Sequence, residues 1–240
     1  MASTYHNGKL LEGDLPISII WYGKFSPAQK SILLEKSGRV SLSREFSDKN
    51  CSIGKNLKRS RVSELARKAN LKPGELALVL TAQDVIVEGF CMSVGNCGFH
   101  GSDLKHKFAF LWVGNSESQC PGKCTWPFLQ PIYGPQTSPL VVPNDDVGVD
   151  GMIVNIASLL AGTVMNPYGN GYYLRSSDAL LEAALVCLGV YGKGACPGYA
   201  GELLLDSRSG ASYNALGVSG RKFLLPSLFN PTSSVCSTNV

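Results

Sequence analysis

Several things are scarce in this chain of 240 residues, and each shortage removes a class of function. Histidine occurs only at His6, His100 and His106, so a serine or cysteine nucleophile has few bases to draw on. The stretch GNSES (114–118) places Ser118 where a nucleophile elbow needs its second glycine. No run approaches the ~18 consecutive apolar residues of a membrane span, and no membrane insertion is expected. The opening MASTYHNGKL lacks the basic and apolar regions of a secretion signal. Charged residues make up 17% of the chain. The densest basic stretch, KNLKRSRVSELARKANLK (55–72), carries neither a nucleic-acid motif nor interleaved aromatics. It reads as a solvated helix face with a weak attraction for an acidic polymer such as pectin, and no nucleic-acid partner is expected.

What is abundant points elsewhere. With 26 glycines and 13 prolines, much of the chain is turn and loop. Eight cysteines, at 51, 91, 97, 120, 124, 187, 196 and 236, sit mostly in that loop sequence, as in secreted disulfide proteins. Cys91/Cys97 and Cys120/Cys124 stand out as short pairs. A zinc site from Cys120, Cys124, His100 and His106 lacks a second ligand pair at recognisable spacing, so disulfides are the better reading. Asn50-Cys51-Ser52 fits the N-glycosylation sequon, which matters only in a secreted chain.

The patterning predicts one α+β domain over residues 1–240, a mixed sheet packed with helices. LPISIIWYG (15–23) reads as a buried strand, followed by a helix with Ser26 as N-cap and Pro27 at its first position. Residues 37–54 are polar and poorly patterned. RVSELARKANL (61–71) is an amphipathic helix, and LALVLT and KFAFLWVGN are strands. Residues 120–150 read as a long loop, stapled by Cys120 and Cys124. A helix then spans roughly 151–165, with Asp150 placed to cap it. DALLEAALVCLG (178–189) reads as one more helix.

Carboxylates for glycoside chemistry are available at Asp145, Asp146, Asp150, Glu202 and Asp206. NDDVGVDG also has the oxygens and glycines of a calcium loop, without the full twelve-residue pattern, so turn formation and helix capping are the simpler roles. Trp112, Trp126, Tyr133, Tyr172 and Tyr173 could stack on sugars, although most such residues serve packing. His100, flanked by glycine and serine, reads as a loop residue satisfied by nearby backbone.

Taken together, these segments resemble the plant EXORDIUM family of phosphate-induced proteins. The matching stretches include IIWYGKFSPAQ (19–29), FLWVGNSESQCPGKCTWPF (110–128), PNDDVGVDGMIVNIASLLAGTVMNPYGNGYY (143–173), GVYGKGACPGYAG (189–201), GASYNALGVSGRKFLLP (210–226) and the CSTNV terminus. The resemblance implies a protein secreted to the apoplast and cell wall, associated with cell expansion and brassinosteroid-responsive growth, with no settled catalytic activity and no cofactor. It implies up to three disulfides among Cys91, Cys97, Cys120, Cys124, Cys187 and Cys236, with Cys51 and Cys196 additional. Cys196 stands where the family usually has an aromatic residue. The family normally carries a further helical stretch with a Trp-Trp pair between the first helix and VSLSREFSDKN, so this chain reads as shortened near residues 36–42.

A more distant resemblance concerns SLLAGTVMNPYGNGYY (158–173), which is similar to the metal-binding helix of zincin-like metallopeptidases. On that alignment Ser158 and Leu159 replace the first ligand and the general base, Gly162 the second ligand and Asn166 an aspartate. None of the four can bind zinc or ionise as the base must. The expectation is a degenerate zincin-like scaffold acting as a monomeric, non-catalytic binding or signalling protein. Its partner would be a wall polysaccharide or an extracellular protein, facing Asp145, Asp146, Asp150, Tyr172 and Tyr173. The alternative is a wall hydrolase acting through the acidic loop.

Overall fold

The computed structural model describes every residue except 1–2, 36–39, 73, 93–95, 132–133, 175–180, 183–185, 231–232, 234 and 239–240. In chain order the elements are β1 (Ser3–Tyr5), β2 (Leu15–Tyr22), α1 (Pro27–Leu33), β3 (Val40–Asp48), β4 (Asn56–Leu57), α2 (Arg59–Arg67), β5 (Leu76–Thr81), β6 (Ile86–Val87), β7 (Gly98–Asp103) and β8 (Phe108–Gly114). They continue with α3 (Pro121–Cys124), α4 (Val147–Met165), β9 (Tyr172–Leu174) and β10 (Leu181–Glu182), and then a run of short ladders.

The main sheet has the order β3-β2-β5-β8-β7, with the first four strands parallel and β7 antiparallel at one edge. The middle strands are apolar on both faces, as strands covered on both sides must be. Ile20, Tyr22, Ala77, Val79, Phe110 and Trp112 face α2, which buries Val62, Leu65 and Ala66 against them. Ile17, Ile19, Trp21, Leu78, Leu80 and Leu111 face the opposite side, where α4 brings Met152. The unpatterned stretch after residue 37 contains β3. An edge strand pairs on one side only, and β3 keeps polar residues such as Arg44 and Glu45 that a central strand would exclude.

Helix α4 is the hub. Met152 joins the sheet core, Val154 packs with Phe128, Tyr191, Ala200 and Leu224, and Val149 packs with Ile32 and Phe223. A helix with apolar neighbours on three sides has no need of a polar face. The same demand makes it long and apolar enough, by length and composition, to cross a membrane. It begins a turn earlier than the sequence reading places it. Asp146, not Asp150, is the N-cap and accepts a hydrogen bond from the Val149 amide at 2.8 Å. The glycines that disguise this first turn are there for close approach. A Cβ on Gly148 would lie 2.4 Å from Asn115 Oδ1, and one on Gly151 2.9 Å from Thr125 Cγ2.

The three disulfides use the six cysteines expected, but the short pairs are not the bonds. Cys91 joins Cys120, Cys97 joins Cys124 and Cys187 joins Cys236, leaving Cys51 buried and Cys196 exposed as free thiols. The first two bonds are interlaced and tie the segment before β7 to α3, rather than closing the long loop on itself. The helix expected over 178–189 is not formed in its described part, where Leu181–Glu182 pairs as a strand with β9 and residues 186–189 turn. The rest of that stretch lies outside the described residues. Beyond residue 190, Asn214 anchors the short ladders, donating to the Tyr191 and Leu225 carbonyls at 2.9 and 2.7 Å and accepting from the Leu225 amide at 2.8 Å.

Candidate functional site

A cleft of about 770 Å³ opens over the middle of α4. Its floor is Val154, Asn155, Ser158 and Leu159; one wall is Gly98 with the Cys97–Cys124 bond; the other is made by Pro131, Gly134 and Pro135 and by residues 188–191 and 195–198. Gly98 is required where it stands, because a Cβ would meet the Trp112 carbonyl at 2.3 Å and Leu159 Cδ1 at 2.6 Å. This absence lets β7 lie directly against the helix.

Trp126 is half-buried in the wall, its ring 5.5 Å from that of buried Tyr191, whose hydroxyl donates to the Trp126 carbonyl at 3.2 Å. Burial pushes the Tyr191 phenol well above its ordinary range, so it stays a neutral donor. Two reciprocal backbone bonds close the Cys196–Tyr199 turn at 3.0 and 2.8 Å, and Thr137 Oγ1 donates to the Gly198 carbonyl at 2.7 Å, linking the two loops of the outer wall. Among the described residues Lys123 is the one lining residue with a formal charge, and its ammonium donates to the Cys91 carbonyl at 2.6 Å.

Along α4, the four positions singled out by alignment have structural roles. Ser158 donates to the Val154 carbonyl at 3.3 Å, and Leu159 joins the sheet core. Gly162 lies against a pair from distant elements: His100 Nε2 on β7 and Glu182 Oε2 on β10, 2.8 Å apart. A Cβ on Gly162 would come within 3.2 Å of that carboxylate and 3.3 Å of the imidazole. Asn166 donates to Glu182 Oε1 at 2.6 Å and to the Tyr173 hydroxyl at 2.5 Å, and its own carbonyl accepts from the Gly171 amide at 2.9 Å. His6 meets the Tyr173 ring edge-on at 5.6 Å. The His100 reading is corrected: it is a strand residue held by a carboxylate 82 residues away. No local signal carries such a contact.

The acids of the loop are engaged in local contacts, and Asp150 is 2% exposed. Its carboxylate accepts from the Asn144 amide at 2.9 Å and side chain at 2.6 Å. Burial, reinforced by Asp146 and Asp145, raises its pKa from 3.8 to about 6 despite those bonds. Asp146 caps α4 and accepts from Gln29 at 3.0 Å, while Asp145 occupies a left-handed turn position with φ 57°. Asp206 sits against Lys222, whose hydrogen bond lowers its pKa to about 2. Tyr172 stacks on Tyr5 with ring centroids 4.8 Å apart. None of the five residues expected to face a ligand lines the cleft. Of the aromatic candidates, Trp112 is interior, Tyr133 lies outside the described residues, and Trp126 reaches the cleft. Asn50 is exposed in the turn after β3. Among the described residues, no three His, Cys, Asp or Glu side chains come together as metal ligands.

Fold and site define a class: a disulfide-tied α/β protein with a cleft over a buried central helix. The family described as Phosphate-induced protein 1 conserved region matches residues 3–36 and 34–239, and the chain belongs to it. The chain is 48% identical over 277 residues to Protein PHOSPHATE-INDUCED 1 of Nicotiana tabacum, covering 98% of this chain and 88% of that protein. It is 46% identical to Protein EXORDIUM of Arabidopsis thaliana over 281 residues, and 46% identical to Protein EXORDIUM-like 2 of the same plant over 273. These cover 98% of this chain and 88% and 89% of those proteins, respectively. No solved structure matches the chain.

Proposed function

We propose that this protein works outside the cell as a non-catalytic binding protein of the plant wall that promotes cell expansion and growth, including brassinosteroid-responsive growth. The observation that carries the reading is the cleft over α4. It is large enough for an extended ligand, and among the described residues no carboxylate or imidazole lines it. The acids of the 143–150 loop are occupied in starting a helix, which weighs against their use by a hydrolase. Three disulfides suit an oxidising compartment. The relatives align over 273 to 281 residues, more than the 240 of this chain, and the two family matches meet at residues 34–36, which supports a shortening in that region.

The test is fractionation of plant tissue with an antibody to this protein. The protein is expected in apoplastic fluid and wall extracts, with a gel mobility that enzymatic deglycosylation increases. Asn50→Gln should migrate at the deglycosylated position. Recovery solely from cytosol, with no such shift, would defeat the extracellular reading.

A further inference from the structure

We infer that the cleft over α4 binds a neutral polysaccharide chain, held against Trp126 and by uncharged hydrogen-bonding groups. The inference rests on the reading of this protein as a wall-binding protein and narrows its ligand.

A polyanion bound in a partly enclosed cleft leaves carboxylates desolvated unless unpaired cations meet them. Among the described residues the lining offers one cation, Lys123, and a single ammonium cannot balance the repeated carboxylates of a polyanion. The basic residues of α2 lie across the sheet from α4, so an acidic wall polymer has its attraction there and not in the cleft. Cationic ligand groups fare no better, with no carboxylate among the described lining residues.

The rest of the surface suits a sugar. Trp126 is held rigidly by its contact with Tyr191 and by the Tyr191 hydroxyl on its carbonyl, so little ordering entropy is lost when a sugar face stacks on it. Both amide hydrogens of Asn155 are taken, by the Cys124 carbonyl at 3.0 Å and the Gly151 carbonyl at 2.7 Å. Among the described residues no donor meets its oxygen, which can accept from a hydroxyl. Asn96 adds an exposed amide at the rim. A sugar ring presents an apolar face and hydroxyl edges with no charge, which is what these groups complement. A volume of about 770 Å³ has room for several sugar units in a row. An extended peptide would need main-chain donors along both walls, and Pro131, Pro135 and Pro197 in the outer wall supply none.

The test is titration calorimetry of the disulfide-intact protein with xyloglucan oligosaccharides, polygalacturonate and a mixed peptide pool, alongside retention on isolated wall fragments. Xyloglucan oligosaccharide is expected to bind with an affinity that 0.5 M salt leaves within twofold. Trp126→Ala should weaken it at least tenfold. Ala195→Trp, on the rim, should block it while retaining the wild-type melting temperature, which covers the case that Trp126→Ala misfolds. Retention on wall fragments with no affinity for the neutral oligosaccharide would overturn this inference and leave the wall-binding reading intact. Binding of polygalacturonate or peptide that Ala195→Trp abolishes would also overturn it. Failure to bind wall fragments at all would sink both.

Discussion

At the scale of the residue, two side chains give measurable signatures. Gly162 is a helix glycine whose replacement would ordinarily gain helix propensity of ~1 kcal/mol. Here a larger side chain displaces the His100–Glu182 pair. Gly162→Val is therefore expected to cost ~1–3 kcal/mol by overpacking, read from urea unfolding, and an unchanged midpoint would contradict the contact. Asp150 gives a pH signature. Its native pKa of about 6 exceeds its unfolded value of 3.8, so between them the folded state holds more protons than the unfolded one. Stability must then fall as pH rises through that window, by an amount on the order of 3 kcal/mol. Asp206, with its pKa lowered to about 2, acts with the opposite sign and only at lower pH, losing its contribution as pH falls below 3.8. The difference in unfolding midpoint between wild type and Asp150→Asn should change steeply between pH 4 and 6. A constant difference would show that Asp150 is not buried as described.

At the scale of the element, the legible and illegible parts separate by distance along the chain. Strands β2, β5 and β8 could be read because a doubly covered strand leaves an unbroken apolar run. Helix α1 could be read from Ser26 and Pro27, which form a cap within four residues and show the full capping box with Gln29. The start of α4 was misplaced because Gly148 and Gly151 resemble a turn until Asn115 and Thr125 are seen against them. The cysteine partners were hidden for a similar reason. Bonds of 29 and 27 residues' separation interlace, so proximity in sequence selects the wrong pairs. Those bonds also hold the cleft wall. Replacing Cys97 and Cys124 together with serine should lower stability by ~2–4 kcal/mol, as closure of a loop of that length predicts. It should also raise protease cleavage in α3 and the adjoining loop. Unaltered stability and cleavage would mean that the wall is held by packing alone.

At the scale of the molecule, a five-stranded sheet supports a long buried helix, and that helix supports the cleft. The family was visible in the sequence because its motifs are long; the site was not, because its lining comes from six separated stretches between residues 96 and 226. The acids and tyrosines that drew attention serve the ends of α4 and the strand that follows. Trp126 and a pair of glycine- and proline-rich loops form the cleft instead. The central claim is that this cleft binds wall material without cutting it. It is tested most directly by incubating wild type and Ala195→Trp with washed wall fragments and measuring, in the same tube, protein retained and reducing sugar or peptide released. The account predicts that wild type is retained, Ala195→Trp is washed away, and neither releases product above the no-protein control. Equal retention of both proteins, or product release that Asp145→Asn or Asp146→Asn removes, would contradict it.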